Sequence, residues 1–160
     1  MVFSQSNVVE YAKDNLPRII EQMNNTAKGR FLGGIVEILA AEVMGGQHCD
    51  EEGYDYIHPT YGRVEVKSTT DIQNGTNLRV NSLKSKKDKC DFVHVIDMNS
   101  DRHFMVPHNV VFYELDLYKE DELRWSASYN ETNKVKVNNT SILLKYEMEI
   151  TIMSARKVNV

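Results

Sequence analysis

The spacing of apolar residues changes after Gly45-Gly46, and this change constrains the fold more than any other feature of the sequence. Before it, apolar residues recur at helical spacing from about Asn7 to Met23 and from about Lys28 to Met44. The two glycines predict the end of the second helix, because glycine accepts the left-handed backbone conformation. Apolar residues cover most of this helix's circumference, so we expect it to be deeply buried.

Short strands are predicted after the helices. Tyr54 to His58 and Arg63 to Ser68 predict two strands joined by a turn that begins at Pro59. Phe92 to Ile96 is a nearly continuous apolar run, typical of a central strand that is buried on both faces. Further strands are predicted at Leu78 to Leu83, at Phe104 to Val106 and, from alternating residues such as Leu144 to Ile152, within residues 134–153. We therefore expect an α/β (α+β) fold, with helices flanking a mixed central sheet and a β-rich C-terminal part.

The chain has 160 residues, of which 41% are hydrophobic and 26% charged, as is usual for one globular domain. We expect a single domain over residues 1–160, with its core at about residues 28–110. No apolar run approaches the ~20 residues of a membrane span, and the N-terminal residues do not resemble a secretory signal. Two distant cysteines favour reduced thiols, so we expect a cytoplasmic protein of a bacterium or a phage-infected cell. The formal charge of −4 argues against a histone-like protein that coats nucleic acid, because such proteins are usually basic.

Three ionisable residues are prominent on the first two predicted strands, namely Asp55, Glu65 and Lys67. The two-residue period of a strand puts Glu65 and Lys67 on one face and turns the valines beside them towards the core. If the strands pair as a hairpin, Asp55 comes beside Glu65. Like charges in this position destabilise a sheet, whereas two carboxylates suit Mg²⁺. The Val66 carbonyl is a candidate third ligand, and Lys67 would lie next to the metal.

Asp55, nine intervening residues and then Glu65-Val66-Lys67 resemble the signature of the PD-(D/E)XK nuclease superfamily, which has the restriction-endonuclease-like fold. The resemblance covers about residues 28–98, although Tyr54 stands where the family name has proline. It implies an endodeoxyribonuclease that uses Mg²⁺, with Mn²⁺ as a substitute, and leaves 5′-phosphates. Asp55 and Glu65 would hold the metal, and Lys67 would help to orient or deprotonate the attacking water.

A further glutamate on the preceding helix is common in this superfamily, and Glu37 fits that place. Helical geometry puts Glu37 on the same side as glycines and alanines, whose small size permits close approach to the sheet or a substrate. Glu42, on another side of the helix, is the alternative helix carboxylate.

Polar residues after the second predicted strand are candidate DNA contacts, namely Ser68, Lys84, Lys86 and Lys87. A run of lysines is also typical of a solvated surface, and that alternative stays open. Small nucleases usually pair to cut both strands, so we expect a homodimer. The alternatives are a junction-specific or RNA nuclease of the same fold, and a non-catalytic module that binds nucleic acid or protein.

A zinc site assembled from His48, Cys49, Cys90 and His94 is a weaker interpretation. The sequence lacks the closely spaced cysteine pairs that such sites favour. His94 alternates within the apolar central strand, so we expect it to be a hydrogen-bonded core residue.

Overall fold

The computed structural model describes residues 10, 12–16, 25–70, 72–73, 77–114, 122–126 and 140–152. Besides a helical stretch at residues 12–16, the described helices are α1 (Asn25–Met44) and α2 (Thr140–Leu144), with a 3₁₀ turn at Lys84–Lys86 and a π-helical turn at Val110–Glu114. The strands are β1 (Gln47–Glu51), β2 (Tyr54–His58), β3 (Gly62–Thr69), β4 (Ile72–Gln73), β5 (Asn77–Asn81), β6 (Phe92–Asp97), β7 (Arg102–Pro107), β8 (Glu122–Ser126) and β9 (Glu147–Met148).

Six of these strands form one mixed sheet in the order β1-β2-β3-β6-β7-β9. Strands β3 and β6 run parallel, and the other neighbours run antiparallel. Strands β4, β5 and β8 form a smaller antiparallel sheet. Parallel neighbours require a long crossover, and the chain between β3 and β6 supplies it with β4, β5 and the 3₁₀ turn. The predicted fold class, a mixed sheet with helices, is confirmed.

Helix α1 ends as the two glycines predicted. Gly45 has a φ of +70°, its N–H donates to Glu42 O at 3.1 Å, and the Gly46 N–H donates to Ala41 O at 2.8 Å. This pair of bonds is a Schellman motif, which satisfies two terminal carbonyl groups of the helix. Of the helix predicted at residues 7–23, residues 12–16 are helical and most of the rest lies outside the described residues. In the part of the chain that the structure describes, no helix is long and apolar enough to cross a membrane.

The two faces of the large sheet are buried against different elements. On one face, Val64, Val66 and Ile96 pack with apolar residues of α1 such as Val36 and Leu39. The other face has a second apolar cluster, made by Val80, Leu83, Cys90, Val93, Val95, Phe104, Val106, Val110, Val111, Phe112 and Leu143. Strand β6 therefore contributes alternate residues to both clusters, which confirms the predicted central strand buried on both faces.

The predicted C-terminal strand from Leu144 to Ile152 is mostly wrong. Thr140–Leu144 is helical, and only Glu147–Met148 pairs with β7. Burial nevertheless alternates from residue 147 to residue 152, with the odd-numbered residues exposed. The alternating sequence pattern therefore indicated correctly which side chains are buried. The hydrogen-bonded pairing is shorter than the pattern, because β7, the strand that pairs with β9, begins at Arg102. Residues 134–139 and 153 lie outside the described residues.

Strand β5 ends at Asn81 rather than at Leu83, because Ser82 has a left-handed backbone with a φ of +59°. Leu83 is nevertheless fully buried. The chain thus leaves the small sheet, anchors Leu83 in the core, and turns into the 3₁₀ segment beside β3.

Candidate active site

Strands β2 and β3 form the predicted hairpin, with Tyr56 opposite Val64. Next to Tyr56, Asp55 reaches β3 through its carboxyl group, which accepts from the N–H of Val66, the residue after Glu65. The hairpin is fixed to the end of α1 by His58, whose Nε2 donates to Met44 O at 3.0 Å. The His58 Nδ1 accepts from the N–H groups of Thr60 and Tyr61 at 3.0 Å and 3.2 Å. Both strands that carry the candidate site are therefore held in place by the helix.

Asp55 has an unusual carboxyl group. The Val66 N–H donates to Asp55 Oδ2 at 2.6 Å, a contact that favours the ionised form. Burial, followed by the nearby charge of Glu65, nevertheless raises the pKa of Asp55 to about 7. The protein thus holds an acid that loses its proton near neutral pH, beside a second buried carboxylate.

Glu65 is more deeply buried, with only 2% of the residue exposed. Two ammonium groups approach the same oxygen, since Lys67 Nζ lies 3.0 Å and Lys86 Nζ lies 3.1 Å from Glu65 Oε1. The other oxygen, Oε2, is buried and has no hydrogen-bond partner among the described residues. Burying a carboxylate oxygen without a hydrogen bond costs free energy. A bound ligand or another function is therefore needed to explain its position.

Lys86 belongs to this cluster, whereas the sequence predicted it only as a DNA contact. Its N–H donates to Leu83 O at 2.9 Å, and its own carbonyl accepts from Lys89 N at 3.1 Å. Leu83 and Cys90 are both buried in the second apolar cluster, so they fix the two ends of the short segment. The signal in the sequence is an apolar residue on each side of a polar turn that follows a strand.

Glu37 is the helix carboxylate whose charge acts on Asp55. It is half-buried on α1, and its charge adds to the effects that raise the pKa of Asp55. Glu42 is exposed on the same helix. The structure thus places Glu37, rather than Glu42, towards Asp55.

The other predicted contact residues are Ser68, Lys84 and Lys87. Ser68 is half-buried on β3, opposite Ile96 of β6. Lys84 is exposed, and the Lys87 ammonium lies 5.4 Å from the centre of the Tyr113 ring. Ser68 follows Lys67 in the chain, and Lys84 and Lys87 lie in the same segment as Lys86.

A second polar group lies on the α1 face of the sheet, where hydrogen bonds connect Tyr56, His94, His103 and Asp101. The Tyr56 hydroxyl lies 3.0 Å from His94 Nδ1, His94 Nε2 lies 2.9 Å from His103 Nδ1, and His103 Nε2 lies 2.7 Å from Asp101 Oδ1. An ionised Asp101 only accepts, so each group donates in turn towards it. Burial, together with His103, lowers the pKa of His94 well below its usual value. His94 is therefore the hydrogen-bonded core residue that the sequence predicted.

The donor set fits a magnesium centre that is completed by water or substrate. Within the described ranges, no three His, Cys, Asp or Glu side chains come together as a complete metal cage. Mg²⁺ requires less, because it usually binds one or two carboxylates and keeps waters or phosphate oxygens. Asp55 and Glu65 supply two carboxylates, and Glu65 Oε2 is the buried oxygen that such an ion would satisfy.

Comparisons with known proteins found little. No model of a protein family matches the sequence, and no curated protein matches it. Among solved structures, the chain is similar to "a bacterial homing endonuclease", I-Ssp6803I, with 18% identity and a TM-score of 0.47. The match covers 77% of this chain and 94% of that chain. The function of this chain is therefore inferred from its own residues.

Proposed function

We propose that the protein is a Mg²⁺-dependent endodeoxyribonuclease that hydrolyses phosphodiester bonds of DNA and leaves 5′-phosphates. One observation supports this proposal above the others. The carboxyl group of half-buried Asp55 is acted on by the charge of buried Glu65, and Lys67 of the same strand as Glu65 contacts that second carboxylate. A structural hairpin has no use for this arrangement, because like charges opposite each other destabilise a sheet.

Asp55 and Glu65 would hold the metal, with the Val66 carbonyl as the predicted third ligand. Glu37 would support the surrounding water shell. When bound, the ion polarises the scissile phosphate and lowers the pKa of a bound water. Mn²⁺ is expected to replace Mg²⁺, because both are hard cations that prefer oxygen ligands.

Lys67 would orient the attacking water and balance the negative charge that develops on the phosphorus. A P–O bond to the water oxygen forms while the bond from phosphorus to the 3′ oxygen breaks. The attacking water loses a proton to the bulk solvent, and the 3′ oxygen takes a proton from the solvent and leaves as a hydroxyl, while the phosphate stays on the 5′ side. The position of Lys67 Nζ, 3.0 Å from Glu65 Oε1, supports this role.

Ser68, Lys84 and Lys87 are proposed contacts to the DNA backbone, which would show as a steep loss of affinity with added salt. A homodimer is part of the same proposal, because cutting both strands of a duplex requires two sites. The molar mass in solution, measured by light scattering with and without duplex DNA, tests it. A monomer under both conditions would contradict the dimer.

The decisive assay incubates the protein with plasmid, single-stranded DNA, a four-way junction and RNA, each with Mg²⁺ or EDTA. We expect Mg²⁺-dependent cuts in duplex DNA with 5′-phosphate ends. Preferential cutting of the junction or of RNA would identify the structure-specific or RNA nuclease instead. A folded protein that cuts none of them with Mg²⁺ or Mn²⁺ would be the non-catalytic module.

A further inference from the structure

We infer that Lys86 supplies positive charge to the two carboxylates while no divalent ion is bound, and that it moves to the substrate phosphate when the ion binds. This inference rests on the proposed function, because it assigns a further residue to the same site. It goes beyond a general lysine contact to DNA, since it assigns Lys86 two successive partners, first a carboxylate of the protein and then a phosphate oxygen.

The first support is the position of the Lys86 ammonium. It contacts Glu65 Oε1 at 3.1 Å, and its charge also acts on Asp55. Lys86 therefore supplies part of the positive charge that a divalent ion would supply to the same pair. Without Lys86 and without the ion, buried Glu65 and half-buried Asp55 would have Lys67 alone beside them, which is costly in a region of low dielectric constant.

The second support is that one carboxylate oxygen already has two cations. Lys67 and Lys86 both contact Glu65 Oε1, and both side chains are mostly buried, with 19% and 24% exposed. A divalent ion bound at Glu65 Oε2 would be repelled by both charges, and this repulsion is strong at such distances when water is scarce. We therefore expect the ion to bind more tightly when one lysine leaves Glu65.

The third support concerns which lysine leaves. Lys67 lies within β3, where the backbone pairs with β6, so its side chain emerges from the middle of a sheet. Lys86 lies in a three-residue 3₁₀ turn next to solvent, and neither of its neighbours in that turn is buried. A rotation of its side chain would carry the ammonium away from Glu65 while Leu83 and Cys90 keep the turn in place.

The test measures Mn²⁺ affinity by isothermal titration calorimetry and paramagnetic resonance, without any substrate. Lys86→Met is expected to bind Mn²⁺ about tenfold more tightly than the wild type, because one repelling charge is gone. At saturating Mg²⁺ it should cut DNA more slowly, because the ammonium that would contact the phosphate is missing. Lys87→Met removes the same charge from the same segment and should bind Mn²⁺ as the wild type does.

Lys86→Arg keeps the charge and is expected to restore the wild-type Mn²⁺ affinity. If Lys86→Met does not fold by circular dichroism, Lys86→Gln gives the same comparison with a polar side chain. Equal Mn²⁺ affinity in Lys86→Met or its replacement and in Lys87→Met would overturn the inference while leaving the metal centre intact. A wild type that binds no Mn²⁺ would instead contradict the proposed function itself, and the two failures are thereby distinguished.

Discussion

The two faces of the large sheet carry two buried polar clusters that differ in how completely their atoms are satisfied. On the α1 face, Tyr56, His94, His103 and Asp101 form a continuous chain in which each group has a partner. On the opposite face, Glu65 keeps one buried oxygen that accepts no hydrogen bond from any described residue. Adjacent residues of β2 belong to the two clusters, since Tyr56 lies in one and Asp55 in the other.

This difference separates a structural network from a candidate functional one. A fully satisfied chain rigidifies the core, because every desolvated group recovers a hydrogen bond. The pair of Asp55 and Glu65 has no such benefit, because one oxygen of Glu65 has no hydrogen bond from the described residues. Burial, followed by the charge of Glu65, raises the pKa of Asp55 to about 7. The polar network on the α1 face therefore stabilises the fold, whereas the two carboxylates on the opposite face destabilise it.

The largest expected effect is on catalysis. Asp55→Ala and Lys67→Ala should each reduce Mg²⁺-dependent cleavage by about 10³-fold or more, because each removes a group that stabilises the transition state. Both variants should stay folded, since neither residue belongs to the apolar clusters. The measurement is the initial cleavage rate of plasmid DNA, with circular dichroism as the check on folding. Full activity in either variant would remove that residue from the mechanism.

The next effect is a gain in stability. The Asp55 pKa rises from 3.8 to about 7 on folding, so the folded protein binds this proton more tightly than the unfolded chain does. The free energy of unfolding therefore falls as the pH rises from about 4 to about 7, and the full penalty persists above pH 7. In the absence of metal, Asp55→Asn should be more stable than the wild type at pH 8, on the order of 3 kcal/mol.

At pH 4 the gain from Asp55→Asn should be small, because the wild-type carboxyl is then protonated in the folded protein. Denaturant unfolding at the two pH values, with EDTA present, measures the difference. An Asp55→Asn variant that is less stable than the wild type at pH 8 would mean that the pair is a favourable structural contact.

On the α1 face, a substitution in the hydrogen-bonded network should lower the free energy of unfolding instead of raising it. His94→Phe keeps a ring of similar shape but leaves the Tyr56 hydroxyl and His103 Nδ1 without their present partner. Two unsatisfied buried groups should lower the free energy of unfolding by about 2 kcal/mol. The cleavage rate below the unfolding temperature should not change. A loss of cleavage in a folded His94→Phe protein would show that the two faces are coupled.

The smallest expected effect concerns Tyr56, which lies at one end of the hydrogen-bonded network on the α1 face. Tyr56→Phe removes one hydroxyl and leaves His94 Nδ1 without its donor, which should cost about 1 kcal/mol. Denaturant unfolding at neutral pH measures it. An unchanged stability would place the stabilising part of the network at His103 and Asp101 instead.

Much of this arrangement was predictable from the sequence because strand geometry is regular. The two-residue period put Glu65 and Lys67 on one face, and the structure shows their side chains in contact at 3.0 Å. The bounds of β2 and the end of α1 at the glycines followed from local patterns in the same way. These features depend on residues that are close together in the chain.

The contacts that the sequence did not predict join distant segments. Lys86 reaches Glu65 only because the chain returns to β3 after the small sheet, and no local period encodes that return. Likewise, the Tyr56 hydroxyl reaches His94 Nδ1 from 38 residues away, because β3 brings β2 and β6 into one sheet. The prediction of a C-terminal strand was mostly wrong for a related reason. Alternating apolar and polar residues indicate which side chains are buried, but not whether a neighbouring strand is present.

The central claim is that Asp55 and Glu65 hold one divalent ion. Crystals grown with Mn²⁺ and measured at the manganese absorption edge test it most directly. We predict one anomalous peak between the two carboxyl groups, with oxygen distances of about 2.1 Å, and no peak there in crystals of Asp55→Asn. Wild-type crystals without a peak at these carboxylates, or with manganese bound only elsewhere, would contradict the account.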